Sequence, residues 1–296
     1  MTATTDRTAD AAAREATLAA LVDRWTVHMR WRKDFQRWRE DRIWQEETQI
    51  GRLRAAERFA GRLVGGRVLD IGSGMGGFLV AAANTGVHAV GIEPNADYGR
   101  ITRLRAARYG QMPALARAVG EHLPFATASF DVVLAQDILE HVGNPDAVLR
   151  EIARLLRHDG VALVTAINRL AWRDPHYHLY GINCLPRAVA ELLIMARNRT
   201  KRGTAFTDAQ RLSAMYYDSF AGFARRAGAA GLAVTDVREM SVRDVNRAPS
   251  GARGRFVRLA RRMGIAVPLY RAYRFAALGT FECVLRPMSE TPNEGA

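Results

Sequence analysis

Val68-Leu69-Asp70-Ile71-Gly72-Ser73-Gly74-Met75-Gly76-Gly77 (VLDIGSGMGG, 68–77) decides the fold. RVLDIG (67–72) reads as a short buried strand, broken sharply by glycines at alternate positions, Gly72, Gly74 and Gly76. Glycine permits a tight strand-to-helix turn and lets the backbone approach a ligand closely. The turn by itself leaves the ligand open, because dinucleotide folds and phosphate loops use it too.

Three details narrow it. No Gly-Lys-Ser/Thr follows, so this is no Walker loop. Asp70 precedes the turn, and a carboxylate there repels pyrophosphate but suits a cation. Glu93 ends the next strand, 21 residues after Gly72, where an acid accepts hydrogen bonds from ribose hydroxyls. A nucleoside carrying positive charge fits all three, and S-adenosylmethionine has both an ammonium and a sulfonium. Blander roles stay open: Asp70 can cap the turn, and Glu93 can pair with an arginine.

Working outward, strands alternate with helices. Residues 76–85 read as helix, HAVGIE (88–93) as strand, 95–109 as helix, ALARAV (114–119) and FDVVLAQ (130–136) as strands. Asn144-Pro145-Asp146 starts a helix that His158-Asp159-Gly160 ends, and VALVTAI (161–167) is a fifth strand. Such alternation predicts a parallel sheet with helices on both faces. After 168 the rhythm breaks. Helices are expected over 185–198 and 208–230, a strand over LAVTDVREM (232–240), a helix near the end of 241–276, and a closing strand over 279–287. Before 67, residues 8–60 read as helical. Leu18, Leu21, Val22, Trp25 and Met29 recur at helical spacing, and Trp31, Phe35 and Trp38 share a second stripe.

VLDIGSGMGG, then GIEPN, then EHLPFATASFDVVLAQDILEHV, then VLREIARLLRHDGVALV resembles the class I S-adenosylmethionine-dependent methyltransferases, and within them the ubiquinone-type ("type 11") small-molecule branch. The likeness covers 67–167 well and the last two strands loosely. It implies an α/β, Rossmann-like, doubly wound sheet, mostly parallel and seven-stranded, with the last strand antiparallel. Residues 67–288 would form that domain, with a helical substrate-side region (168–230) and a basic insertion (241–277). Residues 1–66 would be a helical extension or lid, and 289–296 a disordered tail. The resemblance also implies cofactor contacts. Asp70, Gly72, Ser73, Gly74 and Gly76 would lie under the methionine moiety and Glu93 on the ribose. Gly120, Glu121 and His122 would flank adenine, and Gln136 and Asp137 would face the reacting methyl. One position departs: an acid that often bonds the adenine amino group is here Val119.

The acceptor side is expected in DPHYHLYGIN (174–183), which follows the fifth strand, because open parallel sheets bind ligands beyond their strands' carboxyl ends. His176, Tyr177, His178 and Tyr180 can supply a base and a stacking wall. His-x-His is also a metal half-site, with only Asp174 nearby as a further ligand, and no metal is expected. A third reading packs these side chains onto the fold. His141, in LEHV, is a candidate base, and helix packing or capping is its competing role.

Composition bounds the rest. The chain has 296 residues and a net charge of +13, with 43 basic residues of which only Lys33 and Lys201 are lysines. That bias suggests codon usage rather than selection for nucleic acid, which is therefore not expected as a partner. The two cysteines, Cys184 and Cys283, form no CxxC pair, so a reducing cytoplasm fits. No signal peptide or membrane span is expected. Residues 241–286 hold ten arginines against Asp244 and Glu282. Over 251–277 arginines alternate with apolar residues. The preferred reading is an insertion covering the substrate cleft; the other is a peripheral membrane contact. The expected activity is O-methylation of a small molecule or glycan. A lipid-linked or RNA acceptor, or binding without turnover, are the alternatives.

Overall fold

The computed structural model describes residues 2–61, 63–200, 210–244 and 251–288. The expected tail, 289–296, lies outside the described residues, as do 201–209 and 245–250.

Seven strands form one sheet in the order β3-β2-β1-β4-β5-β7-β6. They are β1 (Val68–Ile71), β2 (Ala89–Ile92), β3 (Ala114–Ala116), β4 (Phe130–Ala135), β5 (Leu156–Ile167), β6 (Leu232–Asp236) and β7 (Thr280–Pro287). β1 to β5 pair in parallel; β7 runs antiparallel to both β5 and β6. This is the Rossmann-like methyltransferase sheet expected above. The central strands β1 and β4 are apolar on both faces because helices cover both. One core cluster joins Leu69, Val133, Ile152 and Phe281; the other joins Phe78, Val132, Leu163 and Val284.

The crossover helices are α5 (Gly77–Asn84), α6 (Ala96–Ala107) and α7 (Pro145–Leu155). Asn95 caps α6 by accepting from Asp97 N and Tyr98 N, and Asn144 caps α7 by accepting from Ala147 N, with Pro145 in its first turn. The strand order reverses between β1 and β4, which opens a crevice at their carboxyl ends.

The N-terminal region is α1 (Thr2–Thr26), α2 (Phe35–Ile43), α3 (Gln45–Thr48) and α4 (Ile50–Ala60). A buried ion-pair cluster fixes it to α6. The Arg105 side chain is fully buried and pairs with Glu46; it also donates to the carbonyls of Met75 (3.0 Å), Ile43 (2.8 Å) and Arg42 (2.8 Å). Arg108 bridges Glu46 (2.7 Å) and Glu15 (2.7 Å). Burial works against charge on Glu46, yet the two guanidiniums hold its carboxyl below the usual range. So many fixed partners favour a roof packed on the domain over a swinging lid.

Several expected boundaries move. The helix expected at 185–198 is α8 (Arg187–Ala196). In place of one helix over 208–230, residues 210–219 are largely irregular. α9 (Phe220–Ala229) starts only where Ser219 accepts from Gly222 N. The strand expected over 232–240 stops at Asp236, whose carboxylate accepts from Arg238 N and Glu239 N and so starts α10 (Val237–Arg243). The basic segment folds as α11 (Gly251–Arg262) and α12 (Ala266–Ala276). The third strand is shorter than ALARAV suggested, and β5 begins five residues before Val161.

Candidate active site

A cavity of about 410 Å³ opens at the carboxyl ends of β1, β2 and β4, within the range of small-molecule sites, roughly 300–1,000 Å³. Its floor is Ile71 to Met75. Gly72 takes φ +70°, and a Cβ there would lie 2.3 Å from Ile138 Cγ2, so only glycine fits. Gly72 N and Ser73 N donate to Ile92 O (2.8 and 2.9 Å), which ties the turn to β2. The Glu93 carboxylate holds the other side of the turn. It accepts from Gly74 N (2.9 Å) and Asn95 N (2.8 Å) while lining the cavity.

Of the residues expected to hold cofactor, Gly72, Ser73, Gly74, Glu93, Gly120, Glu121, Gln136 and Asp137 line this cavity. Val119 lines it too. Glu121 accepts from Gly143 N (2.9 Å) and Asn144 N (3.2 Å), so it braces the start of α7. Three expected residues do not line it. Asp70 lies buried beneath the turn, and burial, with Glu93 nearby and Arg52 opposing, raises its carboxyl to about 7. Gly76, at φ +74°, abuts Thr102 and caps α5. His122 instead lies near Glu151, away from the lining.

Asp137 is left-handed, at φ +59°, an uncommon conformation for a non-glycine residue. Its N–H donates to Thr165 Oγ1 (2.6 Å), and its carboxylate pairs with Arg52 (2.6 Å).

The N-terminal helices, expected as an extension or lid, form the roof; the individual residues that line it were missed. Trp25, Arg42, Gln45, Gln49 and Arg52 all line the cavity. Arg42 lies 5.1 Å from the Trp38 ring centroid, and Trp38 stacks on Trp25 at 5.3 Å. Gln45, Gln49 and Arg52 share one helical face; that spacing was the available signal.

At the cavity's edge the acceptor loop and the end of β4 meet. His141 lines the cavity, and its ring meets His176 edge-on at 5.5 Å between centroids. Both face Glu140, which is 1% exposed: His176 Nε2 is 3.5 Å and His141 Nε2 4.0 Å from Glu140 Oε1. Tyr217 stacks on His176 at 6.1 Å. Gln210, also in the lining, donates to His141 O (3.0 Å). One possible ligand atom from each of Glu140, His141 and His176 lies within 4.8 Å of the others, a set that suits a base with its carboxylate or a divalent metal. The alternative His-x-His half-site does not form: His178 is not part of this set.

Asp174, fully buried, instead shapes the loop by accepting from His176 N (2.9 Å) and Tyr177 N (2.7 Å). Tyr177 is buried, its hydroxyl donating to Gln210 O (3.0 Å), and burial pushes that hydroxyl's pKa up. His178, at φ +54°, meets Trp31 edge-on at 5.5 Å and lies 3.0 Å from an Arg173 guanidinium nitrogen. Burial, with Arg173, Arg32 and Arg199 nearby, pulls it down to about 4. Tyr180 is exposed. None of these three lines the cavity, which His176 reaches only through its contact with His141. Nor does any residue of 251–277. The expectation that the basic segment covers the cleft is corrected, because Tyr270 and Arg274 anchor α12 on Asp236 at the far edge of the sheet.

Ser73, Gln45, Gln49, Gln136 and Gln210 each carry a buried side-chain oxygen with no hydrogen-bond partner among the described residues, and all five line this cavity. Buried polar atoms are normally satisfied, so this concentration fits a site that a polar ligand completes.

A family described as a methyltransferase domain matches residues 69–164. A ubiquinone biosynthesis O-methyltransferase of Aeromonas salmonicida is 36% identical over 111 residues, 37% of this chain and 47% of that protein. An uncharacterized methyltransferase of Mycolicibacterium gilvum is 36% identical over 98 residues, 33% of this chain and 38% of that protein. The chain thus spans less than half the length of these relatives. The solved YcgJ protein of Bacillus subtilis overlays with a TM-score of 0.49 at 18% identity, covering 82% of this chain and 99% of that one.

Proposed function

We propose that the chain, whose residues 69–164 match a methyltransferase domain family, is a class I S-adenosylmethionine-dependent methyltransferase that methylates an oxygen of a small molecule or glycan. The observation that carries the reading is the cavity. A glycine turn, a strand-end acid at Glu93 and five unsatisfied buried oxygens surround one volume of nucleoside size.

When bound, S-adenosylmethionine supplies a methyl group on a sulfonium sulfur, an excellent leaving group. The chain's part is alignment and proton transfer. Glu93 would offer a carboxylate to ribose hydroxyls, Gly120 and Glu121 would flank the base, and Gln136 and Asp137 would border the methyl group. Asp70, buried beneath the turn and raised to about 7, would support the turn from below. His141 and His176 stand at the edge where an acceptor hydroxyl would enter. One of them would take the proton of an acceptor hydroxyl while its oxygen accepts the methyl group and the thioether leaves. Glu140 orients the ring and offsets its positive charge, as a carboxylate does behind a catalytic histidine. Such a base contributes about 10²–10⁴-fold. Tyr177 and His178 support the loop. A cytoplasmic setting belongs to the same reading: both cysteines are free, and no described helix is long and apolar enough to cross a membrane.

A second reading makes Glu140, His141 and His176 ligands of a divalent ion. A product-release assay over phenols, sugars, carboxylates and amines, with and without a chelator, separates the two. Turnover of hydroxyl acceptors that survives chelation and falls with His176→Asn supports the base. Turnover restored only by metal supports the ion. Amine acceptors alone would overturn oxygen as the target.

A further inference from the structure

We propose that the face built by α11, the end of α12 and the adjoining Trp172 docks onto an anionic lipid bilayer. The proposal does not depend on the methyl-transfer reading.

The orientation of α11 is the first observation. Its inward face is small: Gly254 and Ala260 are buried. Its large apolar residues point outward: Phe256 is 62%, Leu259 56% and Met263 61% exposed. Their spacing of three and four residues puts them on one stripe. A surface helix of a globular protein normally buries that stripe and exposes its polar face. Here the arrangement is inverted, and Arg255, Arg258 and Arg262, all exposed, flank the stripe.

Two further exposed aromatics lie on neighbouring elements, since α11 packs on α12. Phe275 in α12 is 65% exposed and Trp172 58%. They are brought together because Trp172 N donates to Ala276 O (2.8 Å). Exposed apolar residues gathered on one face mark an interaction site, whereas scattered ones do not.

Charge selects the occupant. No acidic residue occurs between Asp244 and Glu282. The arginines that anchor the hairpin are neutralised beneath it: Arg274 pairs with Asp236 (2.8 Å), and Arg271 with Glu239 (2.8 Å). The outer arginines face outward beside aromatic and aliphatic side chains. Arginine around Trp, Phe and Leu is the composition of a helix lying in a headgroup layer, apolar side chains inserted and guanidiniums on lipid phosphates. At 12 residues α11 is too short to span, and lying in the plane is the geometry open to it.

The test is co-sedimentation of the full chain with vesicles of phosphatidylcholine containing one quarter phosphatidylglycerol, and with phosphatidylcholine alone. Binding at least tenfold stronger to the anionic vesicles is expected, weakening as salt is raised. Phe256→Glu with Leu259→Glu should reduce it at least tenfold. Each of Arg255→Ser, Arg258→Ser and Arg262→Ser should reduce it by about fivefold. S-adenosylhomocysteine binding, measured on every variant, should not move, which shows that they are folded. Absence of anionic-vesicle binding, or equal binding by the Phe256/Leu259 variant, overturns the proposal. So does a dimer in sedimentation velocity that this variant abolishes, since a second copy would then be the occupant.

Discussion

The two sides of the cavity are built by different means. The strand-end side is made of backbone. Gly72, Ser73 and Gly74 sit where they do because β1 ends there, Glu93 because β2 ends, and Gln136 and Asp137 because β4 ends. The roof and the edge near the 174–183 loop are made of side chains from distant segments: Trp25, Arg42 and Arg52 above, His141 and Gln210 at the rim, with His176 and Tyr217 packed behind His141. A strand-end site is fixed by topology and tolerates changes far away. A side-chain site depends on each anchoring contact. Each of the following experiments weakens one side and reads the other.

The largest effect is expected at the roof's anchor. Glu46→Ala leaves Arg105 buried without its partner, which costs about 3–5 kcal/mol of stability. Chemical denaturation measures it. Replacing both partners by apolar residues, Glu46→Leu with Arg105→Met, should recover only part of that loss, because Arg108 and the carbonyls of Met75, Ile43 and Arg42 then lose a partner. A small effect from Glu46→Ala alone would mean that the helices are not held by this cluster.

Glu93→Ala comes next. Losing charged hydrogen bonds to ribose and to the glycine turn should weaken S-adenosylhomocysteine binding by about 3 kcal/mol, or roughly 100-fold. On the other side, His176→Asn should lower kcat about 100-fold with cofactor affinity unchanged. If it weakened cofactor binding instead, the two sides would not be separable as described.

Arg52→Ala should be mild. The Arg52–Asp137 pair is 2.6 Å long, but its side chains are 37% and 54% exposed. An exposed pair contributes about 0–1 kcal/mol, so thermal stability should hardly move and cofactor affinity should drop less than tenfold.

The last experiment varies pH and should move stability more than Arg52→Ala does. Burial raises Asp70 from 3.8 to about 7 in the folded chain. Between those values the folded form keeps a proton that the unfolded chain has lost. Stability therefore falls as pH rises through that window. Denaturation of the ligand-free protein at pH 5 and pH 8 should show this fall, and Asp70→Asn should flatten it.

The same contrast governs what could be read from the sequence. VLDIGSGMGG and Glu93 were legible because a glycine turn and a strand-end acid are local signals with one geometric outcome. Asp236 was not legible as a helix cap. VREM follows with no glycine or proline to mark a stop, and the carboxylate's bonds to Arg238 N and Glu239 N start the helix there. The pairing of His176 with His141 was hidden for a different reason. The two are 35 residues apart, and His178 looked equally eligible until the loop turned it toward Trp31. The roof was hidden because Gln45, Gln49 and Arg52 are ordinary helix residues whose role appears only once Arg105 docks the helices.

Isothermal titration of the purified chain with S-adenosylhomocysteine addresses the central claim most directly. One site per chain with a micromolar dissociation constant, lost on Glu93→Ala, is the expected result. No binding, or binding that Glu93→Ala leaves unchanged, would contradict it.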